Sequence, residues 1–399
     1  MLPLSGIKVI EIGTVLMAPY AGQWLADMGA DVIKVEPPGG DQTRSTGPAV
    51  EPGMAAMYIA LNRNKRSIVL DLRNATDREI MARLIDSADV VIHNIRQQKL
   101  AKLGIDAATL TARNPRLIYA ALQGFSPAGR YGERPAYDDI IQGMSGTAEL
   151  VRRQTGTLRY VPMALADKTT GIVAAMAISA ALAGRERTGR GMIVETPMFE
   201  TMVAFNMVEN FAGSHFASGT AAMGYGRTLA SDRGPYRTSD GDICFMPYTD
   251  RQWRSFFNYV GREDLCADPQ FADMHSRTVN IAALYAILAE ILRGRTSAEW
   301  LALADEAQIP SAPVLSLEEI VDDPHLGETG FYAETEDPAM GTLRYPGVPL
   351  RFDGVRPGVR QPPRLDEHRD EILSELGLAP AGQAPRTGSF TKIIRKAQR

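Results

Sequence analysis

Between its first strand-like segment, IKVIEIG (Ile7 to Gly13), and the helix that follows, the chain is short of glycine. The turn reads Gly13-Thr14-Val15-Leu16-Met17-Ala18-Pro19-Tyr20, where a pyrophosphate cradle would need the three glycines of G-x-G-x-x-G. Bulky apolar side chains stand where backbone would have to approach a dinucleotide, which argues against a nicotinamide-dependent dehydrogenase. Cysteine is scarce too. Cys244 and Cys266 have neither the C-x-x-C spacing of a metal site nor the density of a disulfide framework, so they read as small buried hydrophobes in a reducing cytoplasm. The five histidines, His93, His215, His275, His325 and His368, fall in no metal spacing and read as surface or capping residues. No metal site is expected, and no G-x-S-x-G elbow marks a serine hydrolase.

Long hydrophobic runs are missing as well. The longest, GIVAAMAISAALAG (Gly171 to Gly184), falls short of the roughly 20 residues that cross a bilayer and reads as a buried helix against which another element packs closely. The N-terminus has no basic leader before its first strand, so neither a signal segment nor a membrane partner is expected. A net charge of −4 gives no general footprint for nucleic acid.

What is present is a series of alternating strands and helices. LADMGADVIKVEPPGGDQTR (Leu25 to Arg44) reads as the end of a helix, a turn at Met28-Gly29-Ala30 and a strand from Val32 to Val35 closed by Glu36. With the strand before it, this makes a β-α-β unit and predicts a parallel sheet. Strands at Ser67 to Leu72, Asp89 to His93 and Leu117 to Leu122 continue the pattern of parallel strands before residue 130. MIVETPM leads into an apolar helix, Phe199 to Phe211. The Gly, Ala, Ser and Arg-rich stretch from His215 to Gly234 reads as a linker. Beyond it come a hairpin turning at Asp240-Gly241, where the pair supplies positive φ, and helices near Gln252 to Val260, Ile281 to Leu292 and Ser297 to Ala307. The expected fold is α/β: a Rossmann-like parallel-sheet large domain over 1–224, a smaller α+β domain over 225–330, and a return to the large domain over 331–399. The return holds strands near Leu343 to Gly354, a helix from Leu365 to Leu376 and a loose or partner-draped tail from Pro380.

Such sheets present ligands at the carboxyl ends of their strands. Arg63, Lys65 and Arg66 precede the third strand, Arg73 follows it, and Arg96, Lys99 and Lys102 follow the fourth. They read either as a phosphate-holding crevice or as a solvated charged rim. Asp167 opens the Ala-rich helix in MALADKTTGIVAAM. A carboxylate there is either an N-cap that complements the helix dipole or an exposed nucleophile among small neighbours.

These segments, with NRNKRSIVLDL, DVVIHNIR, the Tyr137-Asp138 pair in RPAYDDIIQGMSG, RERTGRGMIVETPMFE, PYRTSDG and IPSAPVLSLEEIVDDPHL, resemble the family III CoA-transferases over nearly the whole chain. That family includes formyl-CoA transferase and carnitine CoA-transferase and extends to the α-methylacyl-CoA racemases. The resemblance places the family's nucleophile on Asp167. It places CoA against Val15, Leu16 and Met17, against Leu70, Asp71 and Arg73, against Asn94, Ile95 and Arg96, and against Lys102 and Tyr137, with Met198 near the thiol end. CoA and acyl-CoA enter as substrates, no tightly bound cofactor is implied, and an interlocked homodimer is the family's assembly. Pro37 and the run Asn94-Ile95-Arg96-Gln97-Gln98 depart from the family pattern near the adenosine end, and the glycine-rich loop of formyl-CoA transferase is absent.

The reaction implied is transfer of CoA from an acyl-CoA donor to a carboxylic acid through an aspartyl-CoA thioester, with helix amides after Asp167 on the oxyanion. Arg227 and Arg233 suggest a dicarboxylic donor such as succinyl-CoA. Two readings stand beside it: an acyl-CoA racemase and a silent CoA-binding protein. The racemases carry a histidine where Tyr137 stands, and a silent homologue would have lost Asp167.

Overall fold

The computed structural model describes residues 1–219 and 222–378. In chain order its elements begin β1 (Lys8–Ile12), α1 (Met17–Asp27), β2 (Asp31–Glu36), α2 (Ala56–Asn62), β3 (Arg66–Val69), α3 (Ala75–Asp86), β4 (Val90–His93), α4 (Gln97–Leu103), α5 (Ala107–Arg113) and β5 (Ile118–Gln123). Then come α6 (Asp138–Met144), α7 (Thr147–Thr155), α8 (Leu165–Thr188), β6 (Ile193–Pro197), α9 (Met198–Asn210) and α10 (Gly226–Leu229). They continue through β7 (Tyr236–Arg237), β8 (Asp242–Phe245), α11 (Asp250–Tyr259), α12 (Glu263–Ala267), α13 (Met274–Val279), α14 (Ile281–Leu292) and α15 (Ser297–Ala307). The last are β9 (Ser311–Pro313), α16 (Leu317–Val321), α17 (Pro324–Glu328), β10 (Tyr332–Asp337), β11 (Gly341–Pro346) and α18 (Arg369–Glu375). The tail expected from Pro380 lies outside the described residues.

The first of two compact units holds Met1–Ser145, Pro162–Val203 and the described residues from Gly327 to 378. Its sheet runs β3-β2-β1-β4-β5-β6 with every neighbouring pair parallel. Five of these strands precede residue 130, each on a segment that the sequence marked as a strand. Alternation along each strand feeds two cores. Val9, Val32, Val90 and Ile92 face α1 and α8, whereas Ile10, Ile33, Ile68 and Val91 face α3 and α18. The order reverses between β1 and β4, which opens a crevice at their carboxyl ends.

The Ala-rich run extends into all of α8, 24 residues long. By length and composition alone this helix is long and apolar enough to cross a bilayer. Its small residues serve close packing on α1: a side chain at Gly171 would meet Met17 O at 3.0 Å and the Tyr20 ring at 3.2 Å. The return segment lies in the first unit. β10 and β11 pair only with each other, as an antiparallel ribbon.

The second unit, Gly146–Val161 with Ala204–Leu326, has a three-stranded antiparallel sheet, β7-β8-β9, and a core centred on Trp253, Phe256, Phe257, Leu288 and Trp300. The boundary expected near 225 therefore lies inside this unit. Composition marked an irregular segment, but the chain passes between units within a continuous helix, α9, where no turn residue signals it. At the hairpin, neither Asp240 nor Gly241 has positive φ. Thr238 Oγ1 instead accepts from Gly241 N at 3.0 Å and closes the loop. Cys244 is exposed, because it alternates outward on β8 between inward Ile243 and Phe245, and Cys266 is partly exposed. Neither is a buried hydrophobe.

Candidate active site

At the β1/β4 reversal the first unit holds a groove with two compartments that share Thr14, Asn94, Arg96 and Tyr137. The outer one, about 570 Å³, is lined by Val35, Pro37, Pro38, Leu70, Asp71, Leu72, Arg73, Ile95, Lys99 and Leu103 among others. The inner one, about 230 Å³, is closed by Val15, Leu16, Met17, Gly124, Arg134, Met198 and Asp167.

Asp167 sits in the first turn of α8, but it is not the cap. Ala164 occupies that position, and no side chain caps the helix. The Asp167 carboxyl is left on the compartment wall, and burial, with a smaller push from the Asp138 carboxylate, raises its pKa to about 7. Asp138, itself buried, accepts from the Asp167 N–H at 3.0 Å and from Gln142 Nε2 at 2.6 Å. The amides after Asp167 are already spent in the helix ladder: Lys168 N–H donates to Ala164 O at 3.3 Å. They are not the oxyanion donors the sequence suggested.

The turn from β1 into α1 lines the same compartment. Val15 has φ of 68°, the left-handed region that a β-branched side chain enters only under strain of about 1–3 kcal/mol. Three side chains pin this turn. Asn94 accepts from Thr14 N at 3.1 Å and donates to Thr14 O at 2.8 Å. Asp41 Oδ1 accepts from Val15 N at 3.2 Å. Lys34 Nζ donates to Gly13 O at 2.9 Å.

Eleven of the twelve positions assigned to CoA by resemblance line this groove: Val15, Leu16, Met17, Leu70, Asp71, Arg73, Asn94, Ile95, Arg96, Tyr137 and Met198. Lys102 does not. It is exposed on α4, and Lys99, with Leu103 one turn on, takes the groove-facing side. Tyr137 is 66% exposed on the rim, Met198 is buried at the start of α9, and Arg73 is held by Asp71 at 2.8 Å. Sequence reasoning left out Arg134, which stands three residues before Tyr137 in the quoted RPAYDD segment. Among the described residues no carboxylate pairs with Arg134 or Arg96.

The basic run before β3 proves neither crevice nor solvated rim, because it enters the strand at the end opposite the groove. Arg63 grips Asp27 at 2.7 Å, Lys65 meets Glu11 at 2.8 Å, and Arg66 meets Asp31, Glu371 and Glu375. Glu11 also takes Lys34 at 2.9 Å, and all three of these side chains are fully buried. α1 makes room with Gly22, where a Cβ would lie 2.0 Å from Glu11 Oε2. Of the histidines, His93 is buried against Tyr119, with ring centroids 5.0 Å apart, and accepts from Ile95 N. Burial lowers its pKa to about 4, so it is a neutral support beneath the Asn94–Arg96 turn. Among the described residues no cluster suits a metal ion.

Known proteins of similar sequence carry CoA-transferase names. The chain is 36% identical to a succinate–glutarate CoA-transferase of Agrobacterium fabrum, over 94% of this chain and 96% of that protein. It is 33% identical to a succinyl-CoA:mesaconate CoA-transferase of Haloarcula marismortui, over 94% and 96%. Among solved structures, a CAIB/BAIF family protein of Brucella suis superposes with a TM-score of 0.77 at 34% identity, covering 94% of this chain and 99% of that one. The signature of CoA-transferase family III spans residues 4–369, and the chain belongs to that family of enzymes.

Proposed function

We propose that this enzyme moves CoA from a dicarboxylic acyl-CoA of the succinyl kind to a second carboxylic acid, with Asp167 as the covalent carrier. The observation that carries the reading is the Asp167 carboxyl on the wall of the inner compartment, with its pKa raised to about 7. A carboxylate removed from water is a stronger nucleophile than one in solution, and at neutral pH about half of it is ionised.

Asp167 attacks the donor thioester carbonyl; the C–S bond breaks, and CoA leaves as thiolate from a mixed anhydride. The thiolate then attacks the Asp167 carbonyl, releasing the donor acid and leaving an aspartyl-CoA thioester. The acceptor carboxylate attacks that thioester, and the returning thiolate takes the acceptor acyl group and frees Asp167. The outer compartment, walled by Pro37, Pro38, Leu70 and Arg73, is the length of groove that the nucleotide end would occupy. Met198 and Gly124 line the inner end, where the thiol would reach Asp167. With the α8 amides engaged, the first turn of α1, presented through Leu16 and Met17, supplies a positive helix end to the compartment where charge develops.

The dicarboxylic assignment is supported by the names of the relatives and by two cations in the inner compartment, Arg96 and Arg134. Arg227 on α10, which the sequence suggested for this role, instead donates to Tyr285 OH of α14 at 2.9 Å. Assembly as a homodimer is part of the proposal. It is supported by large apolar side chains left exposed in the first unit, among them Ile172, Met176 and Ile193. The proposal also places the enzyme in the cytoplasm.

The test is intact-protein mass spectrometry after incubation with succinyl-CoA, comparing the native chain with Asp167→Asn. A CoA adduct that hydroxylamine discharges, and that the variant lacks, is expected. Turnover by the native enzyme with no adduct at any quench time, or an adduct on the variant, would overturn the carrier role.

A further inference from the structure

Nothing in the reaction requires a buried lysine, yet Lys34 sits beneath the groove with its ammonium fully buried. The ammonium donates to Glu11 Oε1 and Gly13 O, each at 2.9 Å, and lies 2.9 Å from Asp41 Oδ2. The contact with Asp41 is an ion pair rather than a well-directed hydrogen bond, and it leaves Asp41 Oδ1 to other work. That oxygen accepts from Thr43 N and Thr43 Oγ1, both at 2.9 Å, and from Val15 N at 3.2 Å. Glu36 Oε2 takes the Asp41 N–H at 3.0 Å, and Glu36 is itself locked by Arg44 at 2.7 Å. Asp41 is therefore held from several sides, with one carboxylate oxygen directed at the N–H of the strained residue.

The strain needs such a holder. A valine at φ of 68° persists only where its surroundings over-determine it. Val15 has its N–H on Asp41, while the residues before it are tied through Gly13 O to Lys34 and through Thr14 to Asn94. Beyond it the backbone enters α1 at Leu16 and Met17, which with Val15 line the compartment that also holds Asp167.

We propose that Asp41, backed by Lys34, is a positioning residue for CoA transfer: it holds Val15 in the left-handed conformation and thereby fixes the turn that lines the same compartment as Asp167. This deepens the function proposed above and rests on it for the chemical step. Without the Asp41 oxygen the turn relaxes toward an unstrained backbone, and the competent conformation becomes a minor population. Glycine at position 15 takes positive φ without strain, so it removes the need for the holder.

The experiment compares the native enzyme with Asp41→Ala, Asp41→Asn and Asp41→Ala/Val15→Gly. Each is measured for CoA affinity by calorimetry and for the rate of CoA adduct formation from succinyl-CoA, per molecule folded by circular dichroism. Asp41→Ala is expected to lose on the order of 10- to 100-fold in both readouts. Asp41→Asn, which keeps an acceptor for the Val15 N–H, loses less, and Val15→Gly in the alanine background recovers most of the loss. A purely structural role moves melting temperature alone. Unchanged affinity and rate in Asp41→Ala, or a loss that Val15→Gly does not relieve, would overturn the inference. Should Asp41→Ala fail to fold, Asp41→Asn with and without Val15→Gly carries the comparison: a smaller loss that Val15→Gly relieves supports the clamp, and no loss, or a loss that Val15→Gly leaves or deepens, sinks it. A native enzyme that binds CoA but forms no adduct removes the carrier role of Asp167, and the clamp is then decided by CoA affinity alone.

Discussion

The backbone N–H of Asp167 donates to Asp138 Oδ1 at 3.0 Å, so the first turn of α8 is anchored by the carboxylate that also disfavours ionisation of Asp167. Anchor and perturber are one side chain. Asp138→Asn keeps an acceptor for the amide and removes the like charge. The ionised form of Asp167 is then favoured, and the acid limb of the rate profile, expected near pH 7 in the native enzyme, moves down by roughly half a unit to one unit. Burial, the larger cause, stays, so the limb does not return to the ordinary carboxylate range. A pH profile of kcat/KM for the two proteins checks this.

The same raised pKa bears on stability. Because the folded state holds the Asp167 proton more tightly than the unfolded chain, its contribution is fully present below about pH 3.8 and is lost as pH rises through about 7. Asp167→Asn removes that loss. The variant should match the native protein near pH 4 and exceed it by on the order of 1–3 kcal/mol at pH 8. Thermal melts across this range read the difference, and a constant offset would contradict it.

Glu11 faces two fully buried lysines, Lys34 at 2.9 Å and Lys65 at 2.8 Å. Glu11→Gln leaves two ammonium groups with too little negative charge between them, and it should cost about 3–5 kcal/mol in urea unfolding. Gly22→Ala attacks the same network sterically, since its new Cβ would overlap Glu11 Oε2, and should lower the urea midpoint as well.

On α4, Lys99 lines the outer compartment and Lys102 does not. Lys99→Ala is expected to raise KM for acyl-CoA about 3- to 5-fold, an effect that shrinks as salt is added, while Lys102→Ala leaves KM unchanged. Steady-state kinetics at two ionic strengths separate them.

Periodicity carried the sheet, because each strand is a short apolar run closed by a turn, and the carboxyl-end rule then located the groove. Helix phase was not legible: Lys99 and Lys102 differ in which face of α4 they occupy, and that depends on how α4 packs. The basic residues before β3 misled for a related reason. Their partners, Asp27, Asp31, Glu11, Glu371 and Glu375, lie on other elements, one pair of them some 300 residues away, and local sequence shows charge without showing what neutralises it. The strain at Val15 had no local sign either, since valine is a residue that local preference would not place at positive φ.

The outer strand β3 has one side without a neighbouring strand, and residues near the far end of the chain occupy it. Asp366 Oδ1 accepts from Val69 N at 2.7 Å, His368 N donates to Ser67 O at 3.1 Å, and Arg369 Nη1 donates to Val69 O at 2.7 Å. During synthesis that strand therefore emerges long before the segment that covers it. Until residue 369 has left the ribosome, β3 presents an open hydrogen-bonding edge to any other chain, a period in which aggregation competes with folding.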